Sequence, residues 1–209
     1  MNINDVYEKF NNRSARPKDI RHNYGVFLPL IYLKGEWHLI YESRAKSLKN
    51  QPGEISFPGG AVEKNETFKE AAIRETCEEL NVKKKKIKIC NNVIGELDYI
   101  ITYFNFFLCP FIGTINGISV DDMKYNSDEV DHIFTVPVDF FMNNEPSTYR
   151  VDLKAVIKED FPYELIPGGK EYNFRKGIYS IYFYKYQENI IWGITAKITK
   201  NFIDIMKEK

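Results

Sequence analysis

Glu75, Glu78 and Glu79 place three carboxylates within five residues, at positions i, i+3 and i+4. At about 100° per residue they fall on one face of a helix, where like charges repel by roughly a few tenths of a kcal/mol per pair. Solvent can absorb that repulsion, and an acidic face bathed in water is the simplest account of the three alone. The segment leading into them changes the balance. Phe57-Pro58-Gly59-Gly60 is a stiff turn with no Cβ at two positions, so backbone can approach a ligand closely. Hard divalent ions take carboxylate ligands, and Mg²⁺ commonly completes its shell with water and substrate phosphates. A triple-carboxylate helix behind a Gly-Gly turn is therefore the residue set of a metal–polyphosphate site.

The full pattern is Gly60-x5-Glu66-x7-Arg74-Glu75-Thr76-x-Glu78-Glu79-x-Asn81-Val82. It resembles the Nudix box, G-x5-E-x7-R-E-U-x-E-E-x-G-U with U bulky and apolar, at every charged position. Thr76 stands for a larger apolar residue, and Asn81 stands for the glycine that ends the helix. Asparagine is the next-best residue in a left-handed conformation, so that change should cost little. Upstream, Arg44-Ala45-x3-Lys49-x3-Gly53-x3-Phe57-Pro58-Gly59-Gly60 is similar to the coenzyme A pyrophosphatase motif L-L-T-x-R-S-x3-R-x3-G-x3-F-P-G-G. Glu42 stands at the threonine, Ala45 at the serine and Lys49 at the second arginine; a lysine cannot form arginine's two-pronged contact with phosphate. The likeness continues through Leu108-x-Pro110-Phe111-Ile112-Gly113, Asp128-Glu129-Val130 and Trp192-Gly193-x-Thr195-Ala196.

The resemblance implies an α+β fold, a mixed β-sheet sandwiched between helices as an α/β/α sandwich. It implies Mg²⁺- or Mn²⁺-dependent hydrolysis of a nucleoside diphosphate joined to another group. Glu78 and Glu79 would bind metal, and Glu75 would bind metal or act as the base toward water. Glu129 is the candidate for a further catalytic and metal-binding carboxylate, with Asp128 and Asp131 as competitors. Arg74 would pair with Glu66 and set the geometry of loop and helix. Arg44, Lys49, Gly53, Phe57, Pro58, Gly59 and Gly60 would face the substrate. Coenzyme A or a thioester would then yield 3′,5′-ADP and 4′-phosphopantetheine or its acyl form. Another ADP-linked diphosphate, such as ADP-ribose or a dinucleotide, is the alternative substrate, and a non-catalytic nucleotide-binding module is the alternative of another class.

The elements that must position these residues can be read along the chain. Thr67 and Glu70 form a capping box for a helix over 67–80, with Ile73, Thr76, Cys77 and Leu80 as its buried stripe opposite the glutamates. Apolar β-rich runs at 26–32 and 37–42 flank Lys34-Gly35-Glu36, a hairpin. Residues 43–66 read as a long ordered loop with a strand near 54–57, and long ordered loops tend to be functional. Strands are expected around 87–97, 99–115 and 132–136, a polar loop over 116–131, irregular chain over 143–176, a β-prone aromatic run over 179–192, in which Tyr179, Ile181 and Phe183 would be buried, and a closing helix over 196–206. The lysine run 83–86 reads as a solvated turn. Residues 3–10 suit a short helix and 11–23 a polar connector, so 1–23 is expected as an N-terminal extension and 24–209 as one domain.

Composition narrows the classes further. Within 209 residues, 29 basic side chains cancel 29 acidic ones, which argues against a general binder of nucleic acid or of anionic membrane. Cys77, Cys90 and Cys109 have no C-x-x-C pairing and fit a reducing compartment, and no apolar leader is evident, so a cytoplasmic setting is expected. The uncharged stretch 99–120 is long enough to span a bilayer, but Pro110, Gly113 and Asn116-Gly117 with β-branched and aromatic neighbours suit strands joined by a turn. Gly168-Gly169-Lys170 lacks the other residues of a P-loop, and His22, His38 and His132 have no zinc spacing.

Overall fold

The computed structural model describes residues 2–83, 87–88, 95–117, 119–120 and 123–208. The central strands bury residues on both faces, which requires cover above and below. In β1 (His22–Leu33) the neighbours Phe27 and Leu28 are both fully buried, and in β2 (Glu36–Arg44) so are Leu39, Ile40 and Tyr41. Side chains alternate across a strand. Phe27 and Ile40 accordingly meet helix α2 (Phe68–Glu79) through Ala72, Ile73 and Leu80. Leu28, Leu39 and Tyr41 meet α3 (Val138–Asn143) and α4 (Gly193–Lys207) through Phe141, Ala196, Phe202 and Ile203.

The sheet between these layers is mixed, as expected. β1 runs antiparallel to β2 and parallel to β8 (Phe106–Ile115). Short strands β3 (Ile55–Ser56) and β4 (Gly59–Ala61) pair with β2 and β1, so the turn holding Phe57 and Pro58 bridges the two central strands. β5 (Ile87–Lys88), β6 (Gly95–Glu96) and β7 (Ile100–Ile101) pair with β8, and β9 (Val130–Pro137) pairs with β2. A second, antiparallel sheet holds β10 (Ser147–Leu153), β11 (Gly177–Tyr186) and β12 (Asn189–Trp192). A short helix, α1 (Ile3–Phe10), precedes β1 and buries none of its residues.

Several expectations need correction. The 99–115 run is a hairpin, β7 and β8, turning at 102–105 with Asn105 at φ +66°, and β8 runs straight through Pro110 and Gly113. Leu97 N–H donates to Pro110 O in the gap between the β6 and β7 pairings, so the proline sits where the ladder is already broken. The 179–192 run is also a hairpin, and Tyr184 is its buried tyrosine, whereas Tyr179, Ile181 and Phe183 are half-buried on the other face. Both faces carry aromatics, so alternation could not say which one turns inward. Within 143–176 the chain forms β10, in which Tyr149, Val151 and Leu153 alternate with polar residues although the strand is exposed along nearly its whole length. The lysines at 84–86, Cys90 and the middle of the expected 87–97 strand lie outside the described residues. No helix among the described residues is long and apolar enough to cross a membrane.

Gly25 sets the distance between α2 and the sheet. A Cβ there would collide with the carbonyl oxygen of Phe68 and lie 2.8 Å from the Ala72 nitrogen, so helix backbone rests directly on strand backbone. Gly25→Ala should therefore destabilise the fold by about 1–3 kcal/mol, as overpacking does. Urea unfolding measures it; a change within about 0.5 kcal/mol, typical of a surface site, would show that α2 does not bear on β1 here.

Candidate active site

Helix α2 begins and ends as its residues dictate. Thr67 Oγ1 accepts from Glu70 N–H at 3.2 Å while Glu70 Oε2 accepts from Thr67 N–H at 2.9 Å, a reciprocal cap. Asn81 takes φ +48° just past the last turn, and Val82 N–H donates back to Cys77 O at 3.1 Å. Thr76 is fully buried and donates to Ala72 O at 2.6 Å, so its hydroxyl is satisfied within the helix.

Arg74 organises the acidic face. Its Nε and Nη2 donate to the two oxygens of Glu66 at 2.9 and 3.2 Å, and Nη2 also reaches Ala61 O at 3.1 Å. Nη1 donates to Glu75 at 2.8 Å and to Glu78 at 3.3 Å. One guanidinium thus ties the 59–66 segment, through Glu66 and Ala61, to the two helix carboxylates Glu75 and Glu78, using a fork geometry that lysine lacks. The pairing holds Glu66 below its ordinary pKa and raises that of Arg74.

The glutamates do not form one solvated face. Glu78 is exposed, Glu75 is half-buried, and Glu79 is only 5% exposed beneath the Gly-Gly turn, where its Oε2 accepts Gly59 N–H at 3.0 Å. Burial first, then the charge of Glu42 and other nearby carboxylates, pushes the pKa of Glu79 well up. Glu75 is raised by burial against the pull of Arg74. A Cβ on Gly60 would occupy the position of the Glu75 carboxylate, so glycine there leaves the space that this group fills.

Glu42 belongs to the same neighbourhood, and sequence reading singled it out only as a departure from a motif. It is 1% exposed on β2, accepts Ser56 O–H at 3.0 Å through Oε1, and keeps Oε2 buried without a hydrogen-bond partner among the described residues. Burial, then the charges of Glu129 and Glu75, raises its pKa, while Arg44 and Ser56 oppose the rise. A carboxylate inside an apolar sheet was the available signal.

The other expected residues separate into two groups. Arg44 sits near Glu42 after a bulge in the β2–β9 pairing, with its Nε buried and without a partner among the described residues. Glu129 is exposed but bears electrostatically on Glu42, Glu75 and Glu79, and its carbonyl accepts Ala45 N–H at 2.8 Å. Asp128 is exposed, and Asp131 is occupied by His132 at 2.9 Å. Lys49 is exposed on the loop, and Gly53 turns at φ +72°. Phe57 and Pro58 are buried. Phe57 stacks on Tyr41 with ring centres 4.6 Å apart, and Pro58 O accepts Phe27 N–H at 2.8 Å. They anchor the turn in the core, which is why these residue types precede the glycines. A cavity of about 470 Å³ beside Gly53 is lined by Ser43, Ile55, His132, Phe183 and Trp192. Ser43 points to the opposite face of β2 from Glu42, so this cavity lies on the other face of the sheet from the carboxylates.

The residues present fit a divalent cation. Several carboxylates are gathered at one end of α2 and β2 with more negative charge than Arg44 and Arg74 balance, and Glu42 holds an orphaned buried oxygen. Among the described residues no three carboxylate, histidine or cysteine groups converge closely enough to hold an ion as they stand; Glu75 and Glu78 are engaged by Arg74, and Glu79 by Gly59 N–H. Oxygen donors of this kind suit Mg²⁺ or Mn²⁺.

Residues 23–170 match the family model of the NUDIX domain. Nudix hydrolase 3 of Caenorhabditis elegans is 31% identical over 140 residues, covering 66% of this chain and 57% of that protein. The peroxisomal coenzyme A diphosphatase NUDT7 of Mus musculus is 28% identical over 130 residues, 60% of this chain and 50% of its own. The chain thus spans about half the length of these two relatives. The Nudix hydrolase NudL of Photorhabdus laumondii, itself uncharacterized, is 26% identical over 205 residues, 95% and 94% of the two chains. The crystal structure of a MutT/nudix family protein from Enterococcus faecalis is similar at a TM-score of 0.54 and 12% identity, over 100% of this chain and 71% of that one, a likeness of fold alone.

The raised pKa of Glu79 makes folding depend on pH in a stated direction. Its ordinary value is 4.5; above that, the folded chain holds a proton that the unfolded chain has released. Stability therefore falls as pH rises through the folded value, the reverse of a salt-bridged carboxylate. Without metal, Glu79→Gln should melt above wild type at pH 8, by roughly 2–4 °C for each kcal/mol of that proton-linked penalty removed. That advantage should shrink toward pH 5. An equal difference at both pH values would show that Glu79 is not buried against like charge.

Proposed function

The chain belongs to the Nudix family, and from that premise we propose that it is a metal-dependent diphosphatase whose substrate is coenzyme A or a coenzyme A thioester. The single observation that carries the reading is the buried, undercompensated carboxylate set at Glu42, Glu75 and Glu79 beneath the Gly59-Gly60 turn. Glu75, Glu78, Glu79 and Glu129 are the residues proposed to hold Mg²⁺ or Mn²⁺, which would supply charge neutralisation at the diphosphate. Water adds to one phosphorus, the P–O bond of the bridging oxygen breaks, and the departing phosphate keeps the electron pair. The proton released by water is taken by a carboxylate; Glu75, half-buried and hydrogen-bonded by Arg74, is proposed for this role as the alternative to binding metal.

Substrate choice rests on Arg44. Its buried Nε has no partner among the described residues, as expected of a cation kept for an anionic group. The exposed Lys49 is proposed to add charge toward the extra 3′-phosphate of coenzyme A. The coenzyme A diphosphatase name of the mouse relative agrees with this assignment. We further propose that residues 24–209 work as one unit, since one core cluster runs from Val26 to Ile203.

Incubation with coenzyme A and Mg²⁺ or Mn²⁺ should yield 3′,5′-ADP and 4′-phosphopantetheine, resolved by liquid chromatography. Glu78→Gln and Glu79→Gln should each lower kcat by about a hundredfold or more, the scale of removing a group that stabilises transition-state charge. Arg44→Ala should raise KM, and wild type should prefer coenzyme A to its 3′-dephospho form. If coenzyme A survives while ADP-ribose or a dinucleotide is cut, the roles of Arg44 and Lys49 are wrong. No turnover across a broad diphosphate panel would point to a binding module.

A further inference from the structure

One carboxylate of the cluster comes from the sheet and not from the helix. Glu42 is 1% exposed, and only one of its oxygens is used, by the Ser56 hydroxyl. The other, Oε2, is buried with no hydrogen-bond partner among the described residues, so it has lost water and gained nothing in return. The carboxylates that bear on it are Glu75 and Glu79 from α2 and Glu129 from the loop before β9, with Arg44 on its own strand as the opposing cation. A pure strand-tying role for Glu42 would need only the Ser56 contact, which a neutral amide could also make. A buried acid whose idle oxygen lies among other acids calls for a cation.

We propose that Glu42 is a further ligand of the divalent ion, supplying Oε2 from β2 in addition to the carboxylates of α2. This rests on the metal-dependent reading of the site above. An added anionic oxygen raises the charge of the ligand set, which is the main control on affinity for a hard cation. The residue at this position would thereby tune how tightly the site takes metal before any substrate arrives.

The test is a titration of the metal-free, full-length protein with Mn²⁺ alone, following free Mn²⁺ by its electron paramagnetic resonance signal. Glu42→Gln keeps the shape and the Ser56 contact, and Glu42→Thr serves as a second variant should the first not fold. Each should weaken the Mn²⁺ dissociation constant by about tenfold or more, the scale seen when support for a metal site is removed. Glu79→Gln is the control for the site itself. If Glu79→Gln weakens binding while both Glu42 variants bind as wild type does, this inference is overturned and the diphosphatase reading stands. If wild type takes up no Mn²⁺, both fall.

Discussion

A single guanidinium makes the acidic end of this molecule possible. Arg74 is hydrogen-bonded to Glu66, Glu75 and Glu78 at once, and to the carbonyl of Ala61. Without it, the hydrogen bond from Gly59 N–H to Glu79 would be the remaining side-chain tie between the loop that carries the glycine turn and the helix that carries the glutamates, among the contacts described above. With it, the two are tied at the point where the charge is densest. Arg74 lies too far along α2 to answer for Glu79, which is left to Gly59 N–H. The cluster is therefore organised but not neutral, and the remaining imbalance is the property that suits it to a cation and a phosphate.

The sheet divides support from chemistry by the simple alternation of its residues. On one side of β2, Tyr41 stacks on Phe57 and shares a hydrogen bond with Thr199 of α4, which also donates to Thr195 O, and Thr195 donates to Ile55 O. This chain of contacts clamps β3 and the start of the glycine turn to α4. On the other side, Ile40 packs toward α2 and Glu42 enters the acidic cluster. Neighbouring residues of one strand thus hold the turn from below and place a carboxylate against it from above. Rigidity on the α4 side matters because a site built on close backbone approach tolerates little displacement.

Much of this was legible in the residues, for reasons that can be given case by case. The 67–80 helix announces itself through Thr67, Glu70 and Asn81, whose preferences are local and need no tertiary partner. The Arg74–Glu66 pairing is what the resemblance to one family's motif implies, and the two side chains do meet. The aromatic C-terminal run was read as strand correctly but with the wrong face inward, because alternation in a sequence that is aromatic throughout carries no sign. In β10 the signal was there, since Tyr149, Val151 and Leu153 alternate with Thr148, Arg150 and Asp152, but the run is short and lies in a polar, proline-containing stretch. Phe57 and Pro58 enter through their place in a family motif, which does not reveal that the ring stacks on Tyr41 and roots the turn in the core.

By itself the amino-acid sequence determined the helix, its caps and the spacing of three carboxylates on it, since all of these depend on residues within a few positions of one another. The tertiary structure alone decided which of those carboxylates loses contact with water. Glu79 is buried and Glu78 is not, although they are adjacent, because the turn from Gly59 covers one direction and leaves the other open. It also decided that Glu42, more than thirty positions upstream, shares their environment. Burial and long-range charge are set by how elements distant in the chain pack together, and no local pattern encodes them.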